Sequence, residues 1–327
     1  MLSLDKTILI LGYNSFSGNA TARFLSENGY TVIGITRKQE IPLPYKANYL
    51  ENPELIHSLG DKFDPSSIVD ICKTYKVTHV VNFVAQSMVA QSWKEPELWY
   101  DTNVTWLSLV AKELNAWGKI ERFIQFTTPE VYGSTDSWQV ESWKFSPSTP
   151  YAVSRAAGDW HLLCLGKEYG FPVIFTRTAN IYGPHQPLYR VVPKALLMAK
   201  KREKFPLEGI GSSRRSFIYM EDVAKALLMI LERGKALDTY HISTKETIRI
   251  SDLVKKIYEM YELDFDKFKI LLSDRKGKDS AYLLDSRKVR TQLGWNDDTA
   301  LESGLNSTKK WIDENFKDLE ELPRNYK

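Results

Sequence analysis

Three short stretches hold the residues whose types could do chemistry. A strand expected over 122–127 ends in Thr127-Thr128-Pro129-Glu130-Val131-Tyr132-Gly133. Thr149-Pro150-Tyr151-Ala152-Val153-Ser154-Arg155 follows and opens a helical pattern, and Arg177-Thr178-Ala179-Asn180-Ile181-Tyr182-Gly183-Pro184 comes later. A free phenol keeps its proton up to a pH of about 10, so it works as a base near neutrality only where positive charge favours phenolate. Tyr151 and Arg155 are four residues apart, which puts them on one helix face and lets them serve one site. Arginine keeps its charge and cannot relay a proton, so Arg155 would position and activate without shuttling. Taken singly, Tyr151 also reads as a buried aromatic before a helix, and Glu130 as a solvated loop carboxylate.

A second constellation lies near the start of the chain. The apolar run 7–11 leads into Gly12-Tyr13-Asn14-Ser15-Phe16-Ser17-Gly18 and then into a helical pattern. Glycine lets a backbone turn tightly and approach a pyrophosphate, while the helix start offers N–H groups and the positive end of the dipole. The spacing resembles the G-x-x-G-x-x-G loop of short-chain dehydrogenases, with Ser15 in place of the middle glycine. A strand-to-helix turn without ligand is the plainer alternative. The second strand ends at Thr36-Arg37-Lys38, with no acid there to hold a ribose 2′-hydroxyl. A guanidinium at this point can grip a 2′-phosphate. The expectation is therefore NADP, with NAD as the alternative and a solvated charged turn as the plain reading of Arg37.

The elements that must position these residues alternate. Strands are expected over 7–11, 31–35, 78–83, 122–127 and 173–176, and helices over 19–28, 66–76, 98–117 and 152–169. Val80-Val81-Asn82-Phe83-Val84 is apolar on both faces, as in a parallel sheet covered by helices on each side. This pattern predicts an α/β fold, a doubly wound parallel sheet of the Rossmann type with a smaller C-terminal substrate-binding lobe. The sheet domain is expected over 1–182 and the lobe over 183–327, with the chain returning to the sheet near 217–243.

The 327 residues suit such an arrangement, and a net charge of +3 is too weak to imply nucleic acid. No apolar run approaches membrane-spanning length, and the cytoplasm follows by default. Cys72 and Cys164 are expected to be buried free thiols. The five histidines form no metal-ligand spacing, so no metal is expected.

In order and interval, the three chemical stretches closely resemble nucleotide-sugar 4,6-dehydratases and their epimerase and decarboxylase relatives, of the extended short-chain dehydrogenase type. Asn82-Phe83-Val84-Ala85-Gln86-Ser87 is similar to a stretch of GDP-mannose 4,6-dehydratases. The likeness continues through Gly209-Ile210-Gly211, Arg215-Ser216-Phe217-Ile218 with Asp222, Arg275-Lys276-Gly277-Lys278-Asp279 with Tyr282 and Asp285, and Leu293-Gly294-Trp295. It spans about residues 7 to 300.

The resemblance implies transient oxidation at C4 of a nucleotide-diphosphate hexose and loss of water across C5–C6. Thr128 would hold the 4-hydroxyl against Tyr151, Arg155 would hold the nicotinamide ribose, and Glu130 would take the C5 proton. Gly12, Asn14, Ser15, Phe16, Ser17, Gly18, Arg37, Asp61 and Ala85, with Tyr151 and Arg155, would bind the cofactor. Ser87, Asn180, Arg190, Arg215 and Arg275 would bind the sugar nucleotide. A homodimer through the helix after Tyr151 and its neighbour is expected. Two positions depart from the family pattern. Arg155 stands where lysine is usual, and Pro129 stands where the dTDP-glucose enzymes carry a proton-donating aspartate. The first departure, with Ser15, leaves open a silent NADP-binding sensor. The second leaves open a 4-epimerase or a sugar-acid decarboxylase.

Overall fold

The computed structural model describes residues 6–37, 45, 55–60, 64–135, 137–273 and 281–325. Its centre is a seven-stranded sheet in which all neighbours run parallel. The first five strands are β1 (Thr7–Leu11), β2 (Thr31–Thr36), β3 (Ile56–Ser58), β4 (Val77–Asn82) and β5 (Arg122–Thr127). After the two-residue β6 (Trp138–Gln139), the sheet resumes with β7 (Val173–Thr178). Short strands β8 (Asn180–Tyr182), β9 (Phe205–Glu208), β10 (Arg214–Arg215) and β11 (Phe217–Tyr219) lie outside it, and β12 (Thr239–Ile242) returns to pair with β7. The strand order is β12-β7-β5-β4-β1-β2-β3. From β1 the chain builds outward through β2 and β3, then crosses back to β4 on the other flank. The crevice at the carboxyl ends of β1 and β4 is therefore the switch point where such sheets bind ligands.

Alternation along each strand feeds two cores. Ile8 and Ile10 face α1 (Phe16–Glu27) and the later helix Met220–Arg233, where Ala22, Leu25, Val223 and Leu227 meet them. Leu9 and Leu11 face the opposite layer, which holds α2 (Pro65–Thr74) and the helices that follow. There α3 (Pro96–Tyr100), a π-helical stretch over Asp101–Trp106 and α4 (Leu107–Trp117) form one run, with α5 (Pro150–Tyr169) against it. Beyond β8, α6 (Val191–Lys200) packs with helices Ile250–Glu259 and Leu301–Glu314 around a third core that includes Leu196, Leu253, Ile257 and Trp311.

Three expectations need correction. The stretch read as loose between β2 and α2 contains β3, three residues that pair with Gly34, Ile35 and Thr36, too short to show periodicity. Helix 98–117 begins at Pro96 and carries a π turn, a wide turn that side-chain periodicity does not announce. Cys164 is exposed, whereas Cys72 is buried. Cys164 lies with Trp160 and His161 on the outward face of α5, while Leu162 and Leu163 point inward.

Candidate active site

The turn after β1 is shaped by backbone. Gly12 has φ of +79°, and a side chain there would press on the Val84 amide nitrogen at 3.1 Å. At Gly18, in the first turn of α1, a methyl group would meet the Gly12 carbonyl and Ser15 Oγ. Ser15 has φ of −73°, open to any residue, so the glycine usual at its place is not required. Its hydroxyl instead caps α1, accepting from the Gly18 amide at 3.0 Å. Asn14, Ser15, Phe16 and Ser17 line a cleft of about 650 Å³, and the Phe16 and Ser17 amides belong to the first turn, where a helix leaves N–H groups without internal partners.

The far side of this cleft holds the loops after β4 and β5. Ala85 and Ser87 line it after β4. Their loop is pinned by Asn103 of the π turn, which accepts from the Gln86 amide at 2.9 Å and donates to the Gln86 carbonyl and to Ser154 Oγ. After β5, Thr128 caps the short turn Pro129–Tyr132 by accepting from the Glu130 amide at 3.2 Å, and its hydroxyl also bonds the Tyr151 phenol. Proline suits the first position of such a turn, since the lost N–H would have had no partner. Tyr151 sits in the first turn of α5, capped by Thr149, which accepts from the Ala152 amide at 3.1 Å.

One turn on, Arg155 is buried and donates through Nη2 to the Phe126 carbonyl. Among the described residues nothing takes its buried Nε. Thr128, Glu130, Tyr151 and Arg155 all line the cleft that the α1 N-terminus enters. A glycine-shaped turn into a helix start, with the Arg155 guanidinium in the same cleft, fits the pyrophosphate and ribose of a dinucleotide.

Burial pushes the Tyr151 phenol above the ordinary tyrosine range, Arg155 pulls it down, Glu130 raises it, and the Thr128 bond and Arg190 lower it. The sequence predicts that positive charge beside this phenol favours phenolate, and Arg155 acts in that direction. The protein's own charges only offset desolvation, because α5 seats Tyr151 in the interior. The same helix face continues inward. Asp159 accepts from Thr127 Oγ1 at 3.0 Å and from Arg177 Nη2 at 3.3 Å, with both partners of this ion pair wholly buried. The Arg177 guanidinium lies 4.9–5.4 Å from the ring centres of Tyr132, Trp143 and Phe145.

The remaining wall comes from distant parts of the chain. Arg190, which precedes α6, donates to Ser87 Oγ at 3.3 Å, joining two residues expected to bind substrate. Asn180 on β8 and Arg215 on β10 line the same cleft. Arg37 stands exposed just past β2, where its carbonyl accepts from Ser58 Oγ, and does not line the cleft. Asp61 and Arg275 lie outside the described residues. Among the described residues no group of three His, Cys, Asp or Glu side chains could hold a metal ion, and no helix is long and apolar enough to cross a membrane.

Several lining or supporting residues were missed as site residues, three of them polar and informative. Lys194 and Tyr282 line the cleft, and Asn103 pins its loop. Tyr282 stood in a recognised motif, so its type was visible although its place was not. Nothing in the sequence flags Lys194 or Asn103.

Residues 9–308 match the family model described as GDP-mannose 4,6 dehydratase. The chain is 31% identical over 322 residues to a trifunctional UDP-glucose 4,6-dehydratase, 3,5-epimerase and reductase of Arabidopsis thaliana; the match covers 95% of this chain but 47% of that protein, so the chain spans about half its length. It is 30% identical over 329 residues to dTDP-D-glucose 4,6-dehydratase of Bos taurus, covering 96% of this chain and 90% of that one. A dTDP-glucose 4,6-dehydratase from Streptomyces venezuelae, solved with NAD bound, superposes with a TM-score of 0.88 at 26% identity, covering 97% and 99% of the two chains. By the extent of the family match, and by the sheet and cleft it spans, the chain belongs to the GDP-mannose 4,6-dehydratase family.

Proposed function

We propose that this chain is a nucleotide-diphosphate-hexose 4,6-dehydratase that releases water and forms a 4-keto-6-deoxy sugar. The observation that carries the reading is the convergence of Thr128, Glu130, Tyr151 and Arg155 on one cleft with the α1 N-terminus. A bound nicotinamide dinucleotide would accept hydrogen from C4 and return it to C6, so no net oxidation occurs. The first turn of α1, with Gly12 and Gly18 behind it, would hold the pyrophosphate, and Arg155 the ribose. Tyr151 takes the proton of the 4-hydroxyl, which Thr128 holds against it. Glu130 takes the C5 proton, which a neighbouring ketone acidifies. Because Pro129 has no proton to give, Glu130 returns that proton to the departing C6 oxygen, and the proton taken by Tyr151 is given back to balance the one C5 regains as hydrogen returns to C6.

A second reading keeps the same oxidation at C4 but ends as a 4-epimerase or uronate decarboxylase, and Pro129 is the residue that favours it. Incubation with GDP-mannose and with dTDP-, CDP- and UDP-linked hexoses, followed by mass spectrometry, separates the two. Loss of water supports the dehydratase. Unchanged mass with an inverted centre, or loss of carbon dioxide from a uronate, supports the second reading, and no reaction with any of them overturns both. Glu130→Gln should abolish water release and leave dinucleotide affinity unchanged; undiminished turnover removes Glu130 from the mechanism.

We infer NADP over NAD, on the strength of Arg37 at the end of β2 with no acid beside it in Thr36-Arg37-Lys38. Tighter binding of NAD would reverse this. We further propose a cytoplasmic homodimer. Leu98, Tyr100, Leu109, Val153 and Trp160 are exposed on the α3, α4 and α5 layer, an apolar surface that a second copy would cover. A monomer by light scattering at micromolar concentration overturns the dimer.

A further inference from the structure

Tyr282 lies in the cleft wall beside two of the residues read as substrate ligands, and it touches both. Its hydroxyl donates to Oδ1 of Asn180 at 2.7 Å, across 102 residues of sequence. The Arg215 guanidinium lies 4.2 Å from the centre of its ring and also makes a side-chain hydrogen bond to the hydroxyl. Arginine has only donors, so in that bond the phenol oxygen accepts. A phenol carries one proton, and here it goes to Asn180. The carbonyl end of the Asn180 amide is thereby engaged, and its NH2 is the end left for another partner. Both bonds point one way, from a fixed cation, through a phenol, to an amide.

Arg215 is 6% and Tyr282 8% exposed, so water does not replace the middle link. Burial pushes the Tyr282 phenol up to about 12, and it stays protonated across the physiological range.

We propose that Tyr282 is the positioning residue of the nucleotide-sugar subsite: it ties Asn180 to Arg215 so that the Asn180 amide presents NH2, and not carbonyl, to the diphosphate. This rests on the nucleotide-sugar reading above. Without the phenol the amide is free to turn over and offer an acceptor to an anion. Bonds arranged in a row also polarise one another, so the Asn180 donor is strengthened by the cation behind it.

The test uses the full chain and four probes, GDP, UDP, dTDP and CDP, titrated by calorimetry; the tightest is then carried through the variants. Tyr282→Phe keeps the ring against Arg215 and removes only the hydroxyl. It should weaken the nucleoside diphosphate about tenfold or more, in line with the loss of a charge-assisted link, and leave NADP affinity within about twofold. In turnover with the corresponding sugar nucleotide, KM should rise by a similar factor with kcat little changed. In an Asn180→Ala background, Tyr282→Phe should add less than about a further twofold, because the phenol acts through the amide. Equal affinity in Tyr282→Phe, an additive loss in the Asn180→Ala background, or a matching loss of NADP binding each overturns the inference. A parent protein that binds none of the four probes overturns the nucleotide-sugar reading itself, and this inference with it.

Discussion

At the turn after β1 the wall of the cleft is backbone, set by two glycines and a helix start within seven residues, whereas the opposite wall is side chains gathered from Ser87, Asn180, Arg190, Arg215 and Tyr282. The difference concerns tolerance. A backbone wall asks of its residues only that they leave room or cap the helix, and Ser15 does both where a glycine is usual. A side-chain wall depends on which atom is presented, and there the exchange of one donor for an acceptor changes what can bind. Between the two sits Tyr151, where both demands meet on α5.

The comparison breaks first at Tyr151. Tyr151→Phe should lower kcat about 10²–10⁴-fold, the usual contribution of a positioned acid–base group, with the dinucleotide dissociation constant within about threefold. Retained turnover would move the base elsewhere. Since burial raises this phenol, turnover should climb with pH through neutrality, as phenolate becomes accessible, and the climb should vanish in the Phe variant.

A second way to sharpen the comparison lies behind the site, where His241 on β12 bonds the Tyr132 hydroxyl at 2.9 Å. Burial lowers His241 to about 3. The folded protein therefore holds fewer protons on this ring than the unfolded chain does below the ordinary histidine pKa of about 6.5, so stability is present above that pH and is lost as pH falls toward 3. Between pH 7 and pH 5 the loss from one such ring is roughly 2 kcal/mol. His79, lowered to about 4, adds its own share. His241→Gln should remove roughly half of the combined acid sensitivity seen in urea unfolding at the two pH values; an unchanged difference between them would show that this ring is not held neutral.

Arg155→Lys tests how specific the guanidinium is. Lysine keeps the charge but not the fork that reaches the Phe126 carbonyl, so kcat/KM should fall about tenfold. A gain would mean that the arginine is only tolerated. The smallest effect belongs to Ser15→Gly, which exchanges one good helix cap for another and should alter dinucleotide affinity by less than about threefold. A larger change would give the Ser15 hydroxyl a direct part in binding.

Much of the sheet was legible because parallel strands buried on both faces leave short stretches rich in apolar and β-branched or aromatic residues. The stretch 122–127 coincides with β5, and 7–11 with β1. The residues that share the cleft could be read because Tyr151 and Arg155 share a local spacing, and Thr128 and Glu130 a local motif. What could not be read is long-range or non-periodic. β3 is three residues long, and the π turn that brings Asn103 onto the Gln86 loop breaks the 3.6-residue period. Tyr282 was seen as part of a motif, but its bond to Asn180 crosses most of the second half of the chain. The burial of Tyr151, which raises its phenol against the pull of Arg155, could not be read because burial is a property of packing, and no local spacing reports it.

The ion pair of Asp159 and Arg177 has one more consequence. Removing either partner would strand the other as a lone charge without water, a change that costs about 3–5 kcal/mol in such settings. The inner half of α5 is therefore expected to open only when the whole sheet opens, and its backbone amides should be among the slowest in the molecule to exchange with deuterium. The first turn of the same helix, which carries the buried phenol that lines the cleft, has no ion pair among the described residues and should exchange sooner. One helix would then combine a still end, which keeps the register of the base, with a responsive end that can settle around whatever enters.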